Sequence, residues 1–128
     1  MQQYNKPQTK KVRSGSAGQR GKFSDKRLAH IGGVFTATRV AATEQRQIIR
    51  LRGGKRKARL KRAAFANVLT KDRKVIKTRI ISVIGGPNPE HVRSNIVTKG
   101  SILNTEAGKV QVTNRVGQDG VVNGRIIQ

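Results

Sequence analysis

The sequence predicts an all-β fold, a small antiparallel β-barrel of about six strands that carries a basic, extended N-terminal arm. Three observations predict it. Short runs rich in β-branched residues recur at close spacing, turn residues separate them, and no stretch keeps a clean helical period. A barrel also closes on itself and removes most of its sheet edges. The division expected is residues 1–43 for the arm and 44–128 for the barrel. Isoleucine, leucine and valine supply the core of that second part, where Phe65 is the one aromatic residue. Such a core is marginal and leans on a partner for stability.

From Met1 to about Ala29 no strand or helix period is sustained. Gly15, Gly18 and Gly21, with Ser14, Ser16 and Ser24, interrupt a basic background. A segment of this kind cannot bury enough apolar surface to offset its ordering entropy, so it is expected to be disordered when free. The glycine spacing is too short for collagen and too weak for a phosphate loop. Ile31 to Thr43 is richer in β-branched residues and reads as a short edge strand leading into a hairpin.

That hairpin is the stretch Gln45 to Arg62, QRQIIRLRGGKRKARLKR, bent at Gly53-Gly54. Both central positions of a type I′ turn need φ > 0, which glycine reaches without a Cβ clash. Folding there pairs Arg52 with Lys55, Arg50 with Lys57, Ile48 with Arg59 and Arg46 with Lys61. Strand side chains alternate faces, so this register places the cations together and leaves Ile49, Leu51, Ala58 and Leu60 on the other side. Like charges opposite one another destabilise a sheet by roughly 0.2–1 kcal/mol a pair. The pattern therefore makes sense against a dense polyanion.

Ala63 to Leu69 is ambiguous: Lys55 to Leu69 is rich in helix formers, but no clean 3.6-residue stripe appears, so a helix is not expected there and a helical turn about Ala63 to Ala66 stays open. Lys71 to Lys74 reads as a turn, and Val75 to Ile84 as the strongest strand in the chain. Gly85 to Pro89 is a loop, since two glycines and two prolines interrupt any ladder. Val92 to Thr98 is expected as a shorter strand, with a turn at Lys99-Gly100. Ser101 to Thr105 and Lys109 to Thr113 form a second hairpin about Glu106-Ala107-Gly108. Arg115 to Gly120 then turns into a last strand, Val121 to Ile127.

Charge says what the chain meets. Lys+Arg number 28 against Asp+Glu 6, a net +22. Residues 1–43 hold 9 basic and 1 acidic, residues 44–80 hold 14 and 2, and residues 81–128 hold 5 and 3, so binding belongs to the first 80 residues and the rest reads as scaffold. Of the two polyanions available, membrane is disfavoured: no apolar run approaches the ~18 residues of a span, and Met1 to Lys11 has no apolar stretch of the signal-peptide kind. With no cysteine there is no disulfide or thiolate site, and a cytoplasmic, nucleic-acid-bound protein is expected.

Catalysis fits poorly. His30 and His91 are far apart and the six acids, Asp25, Glu44, Asp72, Glu90, Glu106 and Asp119, are dispersed, so no triad, metal site or cofactor site assembles. Gly54-Lys55 lacks the spacing of a phosphate-binding loop. Scarce aromatics, with Tyr4, Phe23 and Phe35 upstream of the barrel, argue against a base-stacking sheet. What remains is recognition of RNA backbone and shape by cations. The residues expected to carry it are Lys10, Lys11, Arg13, Arg20, Lys22, Lys26 and Arg27 in the arm. In the hairpin they are Arg46, Arg50, Arg52, Lys55, Lys57, Arg59 and Lys61.

Three segments then resemble a known family: Ile48 to Gly54 (IIRLRGG), Ser94 to Gly100 (SNIVTKG) and Gly117 to Asn123 (GQDGVVN). In this order they are similar to the S-eight-e family of small-subunit ribosomal proteins, in its short archaeal form, from about Arg27 on. The resemblance implies a six-stranded or similar barrel, an N-terminal extension threaded into small-subunit rRNA, neighbouring ribosomal proteins as partners, and no enzymatic activity. Two positions depart from the family pattern. Lys55 stands where asparagine is usual, adding charge at the hairpin tip, and Val116 replaces a proline, which is expected to loosen the last loop. An RNA-binding assembly factor or a general RNA chaperone is the alternative function.

Overall fold

The computed structural model describes residues 4, 5, 15, 18, 27–51 and 53–127. They fall into two compact units, residues 1–35 and 36–128. In the first, Tyr4 bridges Ile31 in antiparallel fashion and the Asn5 amide donates to the His30 carbonyl at 2.9 Å. A 3-10 turn at Leu28–His30 precedes that bridge, and the Tyr4 and His30 rings meet edge to face at 5.9 Å.

The second unit is all-β, as its β-branched runs require. A closed barrel takes β4 (Phe65–Leu69), β5 (Val75–Gly85), β6 (Ile102–Thr105), β7 (Gly108–Val112) and β8 (Asn123–Ile126) in that order. Beside it lies a three-stranded sheet in the order β1 (Arg39–Val40), β3 (Arg56–Ala63), β2 (Gln45–Arg50). The barrel thus has five strands, and the basic hairpin stands outside it. Closure is not wholly antiparallel either: β8 runs parallel to β4, with Val68 opposite Gly124. The inward-facing strand residues Ala66, Val68, Ile80, Val83, Leu103, Val110 and Val112 share one core with Val122, which lies just before β8. Leu60 and Ala63 of β3 enter the same cluster and couple the small sheet to the barrel.

Two expected strand segments are different. Val92 to Thr98 contains the end of a short helix, α1 (Pro89–Arg93), followed by an isolated bridge from Ile96 to Arg39. The local chemistry explains it: the Asn88 side chain accepts the Glu90 amide, Pro89 sits at the first helical position, and Glu90 faces the positive end of the turn. Proline, read as a breaker, is here a starter. Similarly, Arg115 to Gly120 is not an open turn but a helical turn, α2 (Val116–Asp119), closed by Gly120 at φ 74°. β8 consequently starts two residues later than expected, at Asn123.

One side chain makes three contacts in the loop between β7 and β8. Asn114 Oδ1 accepts the Asn123 amide at 3.0 Å, while its Nδ2 donates to the Val121 carbonyl at 2.9 Å and to Asp119 Oδ2 at 3.1 Å. An alanine has none of these groups. Asn114→Ala is expected to lower stability by about 2 kcal/mol, since a partly buried carbonyl loses its donor. A thermal melt should show this as a fall of roughly 10 °C in Tm.

Candidate nucleic-acid interface

The β2–β3 hairpin forms where it was expected, but in a register displaced by one residue. Gln47 faces Arg59, Ile48 faces Ala58, Ile49 faces Lys57 and Arg50 faces Arg56. The two glycines do take positive φ, at 80° and 78°, but they sit inside a longer loop closed by the Leu51 amide on the Lys55 carbonyl at 2.6 Å. An odd loop reverses the parity on which the one-sided charge depended. The sorting of cations to one face and aliphatics to the other is therefore not what the chain adopts.

Electrostatics accounts for the choice. The even register opposes Arg52 with Lys55, Arg50 with Lys57 and Arg46 with Lys61, whereas the observed ladder has a single directly opposed cation pair, Arg50 with Arg56. Each pair avoided is worth roughly 0.2–1 kcal/mol. A β-bulge near the base leaves Lys61 without a partner across the ladder and puts Leu60 opposite Arg46. Leu60 can then point into the core while cations occupy both faces of the ribbon.

Three of the expected contact residues use their charged heads within the chain. Arg46 Nε donates to the Gly120 carbonyl at 2.9 Å, and its guanidinium pairs with Glu44 at 3.0 Å. Lys57 bonds to the Gln118 side chain, and Arg59 Nη1 reaches Thr36 Oγ1 at 3.3 Å. These contacts tie the hairpin to α2 and to the segment leading into β1. Arg50, Lys55 and Lys61 are exposed. Arg27 is also exposed, immediately before the 3-10 turn. Lys10, Lys11, Arg13, Arg20, Lys22, Lys26 and Arg52 lie outside the described residues.

The structure adds cations that the even register concealed. Arg56 is exposed beside Arg50 at the tip, and Arg62 is exposed beside Arg39, its neighbour across the parallel β1–β3 pair. The signal available for Arg56 was the like-charge cost itself, which favours an odd loop. Arg39 and Arg62 had no comparable signal, because a two-residue strand has too short a pattern to assign a partner. No group of three or more histidine, cysteine, aspartate or glutamate residues able to hold a metal occurs among the described residues.

A profile of the ribosomal protein S8e family matches residues 7–127. The chain belongs to the ribosomal protein S8e family. Among curated relatives, the small ribosomal subunit protein eS8 of Staphylothermus marinus is 44% identical over 119 residues, covering 91% of this chain and 93% of that one. The eS8 protein of Pyrobaculum aerophilum is 45% identical over 105 residues, 80% of each chain. That of Sulfolobus acidocaldarius is 39% identical over 115 residues, 88% of this chain and 90% of its own.

The three segments that resemble the S8e family all occupy positions of demanding local geometry. Ile48 to Gly54 builds the hairpin strand and its glycine tip. Ser94 to Gly100 ends α1, with Asn95 at φ 50° accepting the Val83 amide at 3.2 Å, and Gly100 at φ 85°. Gly117 to Asn123 forms α2 and the entry to β8. Of the two departures, Lys55 supplies the carbonyl that closes the tip loop. Val116 does not loosen its loop; it opens α2 and is 1% exposed, so the core fixes it there.

Proposed function

We propose that this S8e-family chain is a structural constituent of the small ribosomal subunit, holding rRNA by its phosphates and performing no turnover. The observation that carries the reading is the hairpin tip. Arg50, Lys55 and Arg56 are exposed there, on both faces of a two-stranded ribbon whose base is anchored in the core by Leu60. A finger of this kind inserts between phosphate strands and meets backbone on either side, where a ribbon charged on one face would lie flat. The arm from Lys6 to Arg27 is taken to reach further, ordering as its lysines and arginines find phosphates.

The test is the salt dependence of binding by the full chain to small-subunit rRNA. Each phosphate neutralised contributes about 0.9 to the slope of log K against log salt. Arg50→Ala with Arg56→Ala is expected to lower the slope by about 1.8. Lys57→Ala with Arg59→Ala is expected to change it far less, because Gln118 and Thr36 already hold those heads. Equal slopes for the parent and the Arg50/Arg56 variant would remove the tip from the interface. Sedimentation with mature small subunits through high salt separates a resident constituent from an assembly factor or chaperone that leaves.

A further inference from the structure

The outer wall of the barrel at β4 and β5 is not built like the hairpin. Register puts Leu69 opposite Val75, Asn67 opposite Lys77 and Phe65 opposite Arg79, with Ile81 next along β5 at a bulge. Since Ala66, Val68, Thr78 and Ile80 point inward, these side chains point out. Val75 is 68% exposed, Ile81 58%, Leu69 46% and Phe65 37%. Four of the large apolar side chains that stand exposed among the described residues therefore share this wall. Between the apolar ends sit two cations: Lys77 Nζ is 4.7 Å from the Phe65 ring centroid, and Arg79 lies across from the same ring. Among the described residues, no carboxylate pairs with either.

We infer that this wall docks a protein segment carrying carboxylates flanked by apolar side chains, a neighbour in the assembled particle rather than RNA. The proposal rests on the ribosomal reading above. RNA phosphates satisfy lysine and arginine but leave aliphatics against a hydrated sugar-phosphate chain, which gains nothing from Val75, Leu69 or Ile81. A protein partner uses both. Apolar contact with aromatic and arginine side chains at its centre is the composition of protein interfaces. Charge complementarity fixes the sign of the partner, because Lys77 and Arg79 buried by anything but an acid would be left unpaired at high cost. Along β5 the strip from Val75 to Ile81 extends about 20 Å, room for an extended segment of several residues.

The chain has no cysteine, so single thiols report on the wall directly. Val75→Cys and Ile81→Cys are made separately in the full chain, at sites exposed enough to leave the core intact, which a thermal melt verifies. Maleimide labelling is timed in the free protein, in its complex with small-subunit rRNA alone, and in purified small subunits. Co-sedimentation of each variant checks the ribosomal reading independently. The expected result is fast labelling in the first two states and a slowing of at least about tenfold in the subunit, where an interface excludes solvent. Adding Lys77→Glu and Arg79→Glu is expected to restore labelling in the subunit without changing it on RNA. Protection by RNA alone would assign the wall to RNA, and fast labelling in the subunit would show it uncovered. Protection that survives the glutamates would remove the acidic partner. Each of the three overturns the proposal.

Discussion

Leu60→Asp is expected to leave the second unit without a cooperative unfolding transition at 25 °C. Leu60 is 0% exposed and is one of the largest fully buried side chains, lying in β3 where the small sheet meets the barrel core. Losing a buried leucine costs about 2–5 kcal/mol. Burying a carboxylate with no partner adds several more, or forces it to be protonated. A unit of this size is stable by about 5–15 kcal/mol, so the sum exhausts it. Far-UV circular dichroism during heating reads the result. Ile49→Asp supplies the contrast: that side chain is half-buried on the hairpin, outside the barrel core, and faces Lys57. It is expected to cost about 1 kcal/mol. A folded Leu60→Asp protein would mean that the hairpin is not coupled to the barrel core.

Gly124→Ala is expected to destabilise by about 3 kcal/mol, a fall of roughly 15 °C in Tm. A Cβ at this position would stand 2.4 Å from Val110 Cγ1 and 2.8 Å from the Gln111 carbonyl oxygen. Val110 is itself 0% exposed, so neither neighbour has room to retreat. Gly124 lies between Val68 of β4 and Val112 of β7, at the point where the barrel closes. The missing side chain is therefore what lets β8 fit between its neighbours. A Tm within a few degrees of the parent would show that β8 shifts freely, contrary to the close packing described.

Much of this fold was legible in the sequence because it rests on alternation. Val75 to Ile84, the Ser101 to Thr113 hairpin and the turn at Lys71 to Lys74 all appear as expected, since each follows from β-branched residues bounded by turn formers. What the pattern did not specify was parity. Gly53 and Gly54 reach positive φ in an even or an odd loop alike, and the choice came from repulsion between strands that a turn signature does not encode. α1 escaped notice for a different reason: five residues are too few to show a period, and Asn88-Pro89-Glu90 works by capping rather than by pattern. Of the candidate site, the exposed tip at Arg50 and Lys55 was visible in advance. The internal contacts of Arg46, Lys57 and Arg59 were not, because Gly120, Gln118 and Thr36 are remote in sequence.

The pairing of β4 with β8 has a further consequence for the order of events during synthesis. Asn67 and Asn123, which join side chains across that pair at 3.1 Å, are separated by 56 positions. Translation delivers the cationic finger first and the strand that completes its support last. A nascent chain stalled before residue 123 therefore presents its cationic tip on an unfinished scaffold. Loop closure over such a distance is also slow relative to local hairpins, so the proposed association with RNA can begin before the scaffold is complete.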